Sequence, residues 1–238
     1  MSKGEVVILD SWVSPFCLRA KIALAEKGVE YEPELRTCLG SDLQLKSNPI
    51  NKTVPVLLHD GKPLCEATVI VNYIDETWPS PPLLPSCASE RAKARFWADF
   101  IDKKVIDAVC NIWKSKGKVP GTAKNEFIEI LKQLEGALGE KDFFGGDSFG
   151  FVDVIAIPLT CWFYAVEKFG GFKVENQCMQ RETVARILPD PEKVCEFVKY
   201  YQHCRKRLPT SKNDNQQAGK MMGSKKKAIQ EEQLNFNE

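Results

Sequence analysis

The sequence predicts a two-part chain, an α/β segment followed by an all-helical one. Three observations carry that prediction. Strand-like and helix-like patterns alternate over the first 85 residues. Four prolines, Pro79, Pro81, Pro82 and Pro85, then break the chain within seven residues. Beyond them the apolar patterns have helical spacing. At 238 residues, 43% hydrophobic and 27% charged, the chain can bury one large or two modest cores. Global disorder and collagen-like structure are excluded.

The elements follow in order. Val6-Val7-Ile8-Leu9 is a short β-branched run of the kind a buried strand shows. Ser14-Pro15 supplies an N-cap residue and a proline at the first helical position. Phe16, Ala20, Ala23, Leu24 and Lys27 then share one helix face, which Gly28 closes. Val29 to Glu32 reads as a second strand. Pro55 to Cys65 is a hairpin around Asp60-Gly61, and Thr68 to Trp78 returns to helical spacing. The sum is βαβ–ββα with one long connection, a small open sheet with helices packed on it.

After the linker, Ser89 to Trp113 carries Trp97, Ile101, Val105, Ala108 and Ile112 along one stripe. Asn125 to Leu138, Asp153 to Phe169 and Pro191 to Arg207 are three further helices. The tail from Pro209 is polar and is expected to be disordered. Its Lys225-Lys226-Lys227 is read as solvated tail charge rather than a nuclear signal. The expected division is 1–79, a linker at 80–87, a helical domain at 88–208 and the tail at 209–238.

A net charge of +1 removes the electrostatic case for nucleic acid as the main partner. No stretch approaches the roughly 20 apolar residues of a membrane span. The start, Met-Ser-Lys-Gly-Glu, does not read as a secretory signal. The nine cysteines (17, 38, 65, 87, 110, 161, 178, 195, 204) contain no C-x-x-C, and only His59 and His203 could join them as imidazole ligands. Free thiols in a reducing compartment fit that pattern, so the expectation is a cytosolic protein with no metal site.

Three short constellations carry chemistry. Ser14-Pro15-Phe16-Cys17 lies at a strand-to-helix junction, where unpaired N–H groups and the helix dipole favour an anion. The Ser14 hydroxyl can donate to a bound thiolate there, or it can simply cap the helix. The same residues look like a C-P-Y-C redox motif whose first, exposed cysteine is replaced by serine. Cys17 is therefore expected to be a small buried residue, not a disulfide-exchange centre. Val54-Pro55, before the third strand, is a candidate cis bond. It would present the Val54 N–H and C=O to an extended peptide ligand; an ordinary trans proline fits the dipeptide equally well. Glu66-Ala67 opens the next helix. The carboxylate can accept from a ligand ammonium and the Ala67 N–H can donate to a ligand carboxylate, or Glu66 can merely favour the helix dipole.

The order and spacing of these signals resemble the cytosolic glutathione transferases, most closely the plant tau class. The matching stretches include Trp12-Val13-Ser14-Pro15-Phe16, Ala23-Leu24-Ala25-Glu26-Lys27-Gly28, Val54-Pro55-Val56-Leu57, Tyr73-Ile74-Asp75-Glu76-Thr77-Trp78 and Phe144-Gly145-Gly146-Asp147. The resemblance runs from about residue 5 to 208. It implies a thioredoxin-like N-terminal domain, an α-helical C-terminal domain and a homodimer. It also implies an enzyme that adds the glutathione thiol to apolar electrophiles, with glutathione as co-substrate. Ser14 would be the thiolate donor, and Val54, Pro55, Glu66 and Ala67 would position the tripeptide. Phe16, Ile106, Cys110, Trp113 and Trp162 would line the electrophile pocket, although core packing is an equal role for Trp162. The alternative is a weakly catalytic or non-catalytic carrier of hydrophobic molecules, and a disulfide oxidoreductase using Cys17 ranks last.

Departures from the family pattern motivate the carrier alternative. Tau enzymes usually have H-K-K-I-P or H-K-K-V-P where this chain has Asn51-Lys52-Thr53-Val54-Pro55, so a lysine is replaced by Thr53. Gly40 stands where a second lysine is usual, and Ala67 where a serine is. Lys52 or Lys46 could compensate in part. Three lost contacts at about 0.5–1 kcal/mol each would weaken glutathione binding about tenfold or more. The stretch from Phe172 to Ile187 is also about ten residues shorter than usual, two to three helical turns. That loss is expected to expose apolar surface on neighbouring helices.

Overall fold

A computed structural model describes residues 4–35, 42–114, 120–171, 173 and 182–206, the side chains of 34, 35, 113, 114, 182, 183 and 200–206 excepted. Gly40, the short stretch at 174–181 and the tail at 209–238 lie outside the described residues.

The first half runs β1 (Val6–Asp10), α1 (Pro15–Glu26), β2 (Glu32–Leu35), α2 (Asp42–Ser47), β3 (Val56–His59), β4 (Lys62–Cys65), α3 (Ala67–Thr77). The sheet order is β2-β1-β3-β4, with β1 parallel to β2 and antiparallel to β3. Ile8, Leu18, Ile22, Leu24, Leu57, Ile70 and Ile74 are fully buried and form its core with α1 and α3.

Two elements differ from the sequence expectation. The second strand begins at Glu32 rather than Val29, because Val29 completes the end of α1. Its N–H bonds to the Leu24 carbonyl at 2.9 Å while Gly28 N–H bonds to Ala25 at 3.0 Å. With Gly28 at φ 61°, this is a Schellman stop, and buried Val29 provides its apolar contact. The long connection before β3 contains α2, a six-residue helix too short to show a period of its own. The hairpin is as expected: Asp60 and Gly61 have φ 51° and 73°, the left-handed pair of a type I′ turn.

Register positions the site. Leu9 pairs with Val56 and Val56 with Cys65, so these three residues form one row across β1, β3 and β4. The chain leaving β1 toward Ser14, the chain entering β3 through Val54-Pro55 and the chain leaving β4 at Glu66 therefore meet at one end of the sheet.

The second half runs α4 (Ala88–Phe100), a π-helical segment (Ile101–Val105), α5 (Ile106–Lys114), α6 (Gly121–Leu138), α7 (Phe151–Ala156), a 3-10 turn (Ile157–Leu159), α8 (Thr160–Gly170), α9 (Glu182–Ala185) and α10 (Pro191–Lys206). The expected long helix is present but widened at its centre by the π segment. Ile101, Val105, Ala108 and Ile112 of its stripe are buried. The helix expected from Asp153 starts at Phe151, and Asp153 sits in its first turn. One carboxylate oxygen accepts from Gly150 N–H at 2.9 Å and the other from Phe144 N–H at 3.0 Å. Pro158 has no N–H, and the chain tightens to a 3-10 turn around it.

The linker is fastened rather than loose. Lys27 Nζ pairs with Asp75 at 2.6 Å and also donates to the Pro81 carbonyl. Asp75 accepts from Leu83 N–H at 2.7 Å and Leu84 N–H at 3.0 Å. Phe151 N–H donates to the Leu83 carbonyl at 2.8 Å, which ties α7 to the same strand of chain. No helix among the described residues is long and apolar enough to cross a membrane.

Candidate functional site

Ser14 ends the loop after β1 in an extended conformation, φ −75° and ψ 117°, and caps α1. Its Oγ accepts from Cys17 N–H at 3.4 Å. The capping and donating roles are compatible: the oxygen receives a helix amide, and the hydroxyl proton remains to be donated. Receiving a hydrogen bond also polarises the hydroxyl toward donation.

Cys17 is fully buried, as expected, and its thiol is pushed up to about 12 by burial, with the Asp10 carboxylate adding to the effect. A thiol so protonated is no nucleophile at neutral pH, which opposes the disulfide-exchange alternative. Asp10 itself is buried beside it and paired with Lys21 at 3.0 Å.

The Val54–Pro55 bond is cis, one of the two conformations the sequence left open. Val54 is half-buried and Pro55 buried at the sheet end. Glu66 follows β4 with φ 70° and ψ 114°, a conformation rare outside glycine that costs about 1–3 kcal/mol. The Glu66 carboxylate is exposed and receives a hydrogen bond from Asn51 Nδ2 at 2.6 Å. Ala67 is buried at the first position of α3, where amides lack intrahelical partners. Thr53, which replaces the family lysine, is exposed, and Asn48 Nδ2 holds its carbonyl at 3.2 Å and its Oγ1 at 3.3 Å.

Across from this end, α5 packs on α8. Ile106 and Cys110 lie one turn apart on α5, both half-buried. Half-buried Trp162 donates its indole N–H to the Val13 carbonyl at 2.9 Å, immediately before Ser14. Phe16 is half-buried, with the Arg19 guanidinium over its ring at 5.1 Å. Trp113 lies in α5, and its side chain is outside the described residues. A separate open groove of about 450 Å³ lies toward the opposite end of β1, lined by Glu5, Val7, Glu32, Pro33, Leu58 and Gly61. It contains none of the site residues. No cluster of metal-ligating side chains occurs among the described residues.

Sequence reasoning missed Arg19 and Asn51. Arg19 is completely buried, and its Nε donates to the Ile155 carbonyl at 3.0 Å. Its Nη1 lies 2.7 Å from Asp102 Oδ1, an ion pair by distance but poorly aligned as a hydrogen bond. Burial lowers the Arg19 pKa and Asp102 opposes that effect. Thr68, in the first turn of α3, donates to the other Asp102 oxygen at 2.9 Å. One ion pair thus joins α1, α3, α7 and the π segment. The signal available was Arg19's place on the apolar stripe of α1, three residues after Phe16 and four before Ala23.

A thioredoxin-like unit followed by a helical domain, with a serine at the first helix start, is the architecture of the glutathione S-transferases. Residues 5–76 match the family model "Glutathione S-transferase, N-terminal domain" and residues 98–178 "Glutathione S-transferase, C-terminal domain". The chain is 51% identical to the probable glutathione S-transferase parC of Nicotiana tabacum, over 84% of this chain and 96% of that protein. It is also 51% identical to glutathione S-transferase U19 of Arabidopsis thaliana, over 82% of this chain and 94% of that protein. Among solved structures, rice GST1 in complex with glutathione superposes with a TM-score of 0.80 at 43% identity, covering 85% of this chain and 98% of the rice chain. The tau-class enzyme of mango, Mangifera indica, gives a TM-score of 0.78 at 37% identity over 84% and 99% of the two chains. The chain belongs to the glutathione transferases, and within them to the plant tau class. It is an enzyme that conjugates glutathione, its co-substrate, to electrophiles.

Proposed function

We propose that Ser14 activates the thiol and that the rest of the site holds the tripeptide around it. The Ser14 hydroxyl donates to the glutathione sulfur as it ionises. A hydrogen bond to a charged group contributes about 1.5–3 kcal/mol, which lowers the bound thiol's pKa by about one to two units. Val54, presented by Pro55, pairs its backbone with the peptide. Glu66 accepts from the ammonium of the glutamyl head group, and the Ala67 N–H donates to its carboxylate. Residues 1–79 bind glutathione. The helical domain at 88–208, joined through 80–87, carries the electrophile pocket of Phe16, Ile106, Cys110, Trp113 and Trp162.

The observation that carries this reading is the Ser14 oxygen accepting from Cys17 N–H at 3.4 Å, which leaves its proton for the ligand. The test is Ser14→Ala. Conjugation at neutral pH should fall far more than glutathione binding does. An equal fall in both would refute the thiolate role.

Thr53 and Ala67 favour a weakened grip on glutathione. Retention on a glutathione column together with turnover of an aryl halide separates a working enzyme from a mere carrier. We also place the protein in the cytosol as a homodimer with no nucleic-acid or membrane partner. The free thiols at Cys17, Cys65, Cys87, Cys110, Cys161 and Cys195 support the reducing compartment. The exposed Val69 on α3 and Phe96 on α4 support a dimer surface through Ser89–Trp97 and the Tyr73–Trp78 helix. Light scattering should give a species near twice 26.8 kDa; a cooperatively folding monomer would count against it.

A further inference from the structure

We propose that Trp162 is a positioning residue for the reaction: its indole N–H holds the Val13–Ser14 peptide, and through it the Ser14 hydroxyl, in line with the thiol. The inference rests on the assignment of Ser14 as thiolate donor. The Val13 carbonyl and the Ser14 N–H belong to one peptide unit, which is planar and rigid. That plane is clamped at both polar ends. Trp162 Nε1–H donates to the Val13 oxygen at 2.9 Å. The Ser14 N–H donates to the Ser11 carbonyl, also at 2.9 Å. With the plane fixed, the Ser14 Cα is fixed, and the Cys17 N–H then orients Oγ.

The two clamps differ in origin. The Ser11 bond is local and belongs to the loop itself. The Trp162 bond comes from α8, so the helical half sets the position of a hydroxyl carried by the α/β half. The same loop also meets that half through the Trp12 ring, packed edge-on against Phe197 of α10 at 6.0 Å. That contact is apolar and non-directional, whereas the indole bond is aimed at a single atom. Small displacements matter here because a donor must sit within hydrogen-bond reach of where charge develops. Spending the only polar atom of Trp162 on this carbonyl gives the residue a role beyond lining an apolar pocket.

The test compares wild type, Trp162→Phe and Ser14→Ala. Phenylalanine keeps an aromatic ring and removes the N–H. Two quantities are measured against pH: the thiolate absorbance of enzyme-bound glutathione and kcat/KM with an aryl halide. Trp162→Phe should raise the bound thiol's apparent pKa by about half a unit to one unit. The rate then falls about three- to tenfold on the acidic side and recovers at alkaline pH, with glutathione affinity nearly unchanged. Ser14→Ala should shift the same pKa further. A shift with Ser14→Ala and none with Trp162→Phe overturns the inference and leaves the Ser14 assignment standing. No shift with Ser14→Ala overturns both. A Trp162→Phe rate lowered equally at every pH means that the residue only lines the pocket or supports the fold, and the inference fails. Should that variant not fold, Trp162→Met, a flexible apolar filler, is read in the same way. If neither folds, Trp162 is structural and the inference is wrong.

Discussion

Removing Asp102 should destabilise the protein more than removing Arg19, although both changes break the same ion pair. The reason is the asymmetry of their burial: the Arg19 side chain is 0% exposed and that of Asp102 31%. Asp102→Asn leaves a full positive charge inside the protein. Its remaining described hydrogen bond runs from Nε to the Ile155 carbonyl at 3.0 Å. Leaving a buried charge without its partner costs about 3–5 kcal/mol. Arg19→Met instead leaves a carboxylate on a side chain that is 31% exposed, with Oδ1 buried and Oδ2 still accepting from Thr68 at 2.9 Å. The principal losses are then the Nε bond to the Ile155 carbonyl and the partner of the buried Asp102 Oδ1, about 1–3 kcal/mol together, with the methionine filling most of the arginine stem's volume.

The expected order is therefore Asp102→Asn worse than Arg19→Met by about 1–2 kcal/mol. That gap is a large share of a typical stability of about 5–15 kcal/mol. The double variant Arg19→Met/Asp102→Asn should lie near Arg19→Met alone, because the stranded guanidinium is gone. Urea unfolding at one fixed protein concentration measures all three, since an oligomer's midpoint moves with concentration. Arg19→Met costing as much as Asp102→Asn would refute the reasoning. So would a double variant whose cost is the sum of the singles.

Two further outcomes follow from single side chains. A thiol reagent at pH 7–8 should label Cys87 before Cys17 or Cys161. Exposed Cys87 has its pKa lowered, first by its hydrogen bond with Ser89 and then by the Glu90 and Ser89 amides, so more of it is thiolate; burial pushes Cys17 and Cys161 up to about 12. Peptide mapping after a short exposure reads the order, and modification of Cys17 or Cys161 before Cys87 would show it to be wrong. Thr53→Lys restores a cation where the family usually has one, on an exposed backbone that Asn48 continues to hold at the carbonyl. It should tighten glutathione binding about two- to fivefold, from about 0.5–1 kcal/mol, and calorimetry showing no gain would place that cation out of reach of the ligand.

The junctions that hold Ser14, Val54 and Glu66 were legible in the sequence because each is announced by its immediate neighbours: a Ser-Pro cap, an X-Pro before a strand, a glutamate where a strand gives way to a helix. Their convergence was not legible. It follows from the Leu9–Val56–Cys65 row, and pairing across that many residues leaves no local trace. The start of β2 was misplaced for a different reason. Val29 has the composition of a strand residue, but the Schellman stop claims it first, and propensity yields to that local capping bond. Arg19 and Lys27 are the instructive pair. Both fall on the apolar stripe of α1, and a charge there must be given a partner or leave the fold unstable. The sequence states that demand without naming the supplier. Asp75 and Asp102 answer it, one holding the linker at Leu83 and Leu84, the other holding the π segment to Thr68 at the start of α3. Each supplier lies where one half of the chain meets the other. The helix that begins at Ser14 is therefore also the element that joins the two domains. Substitutions on its buried face should alter site geometry as well as stability.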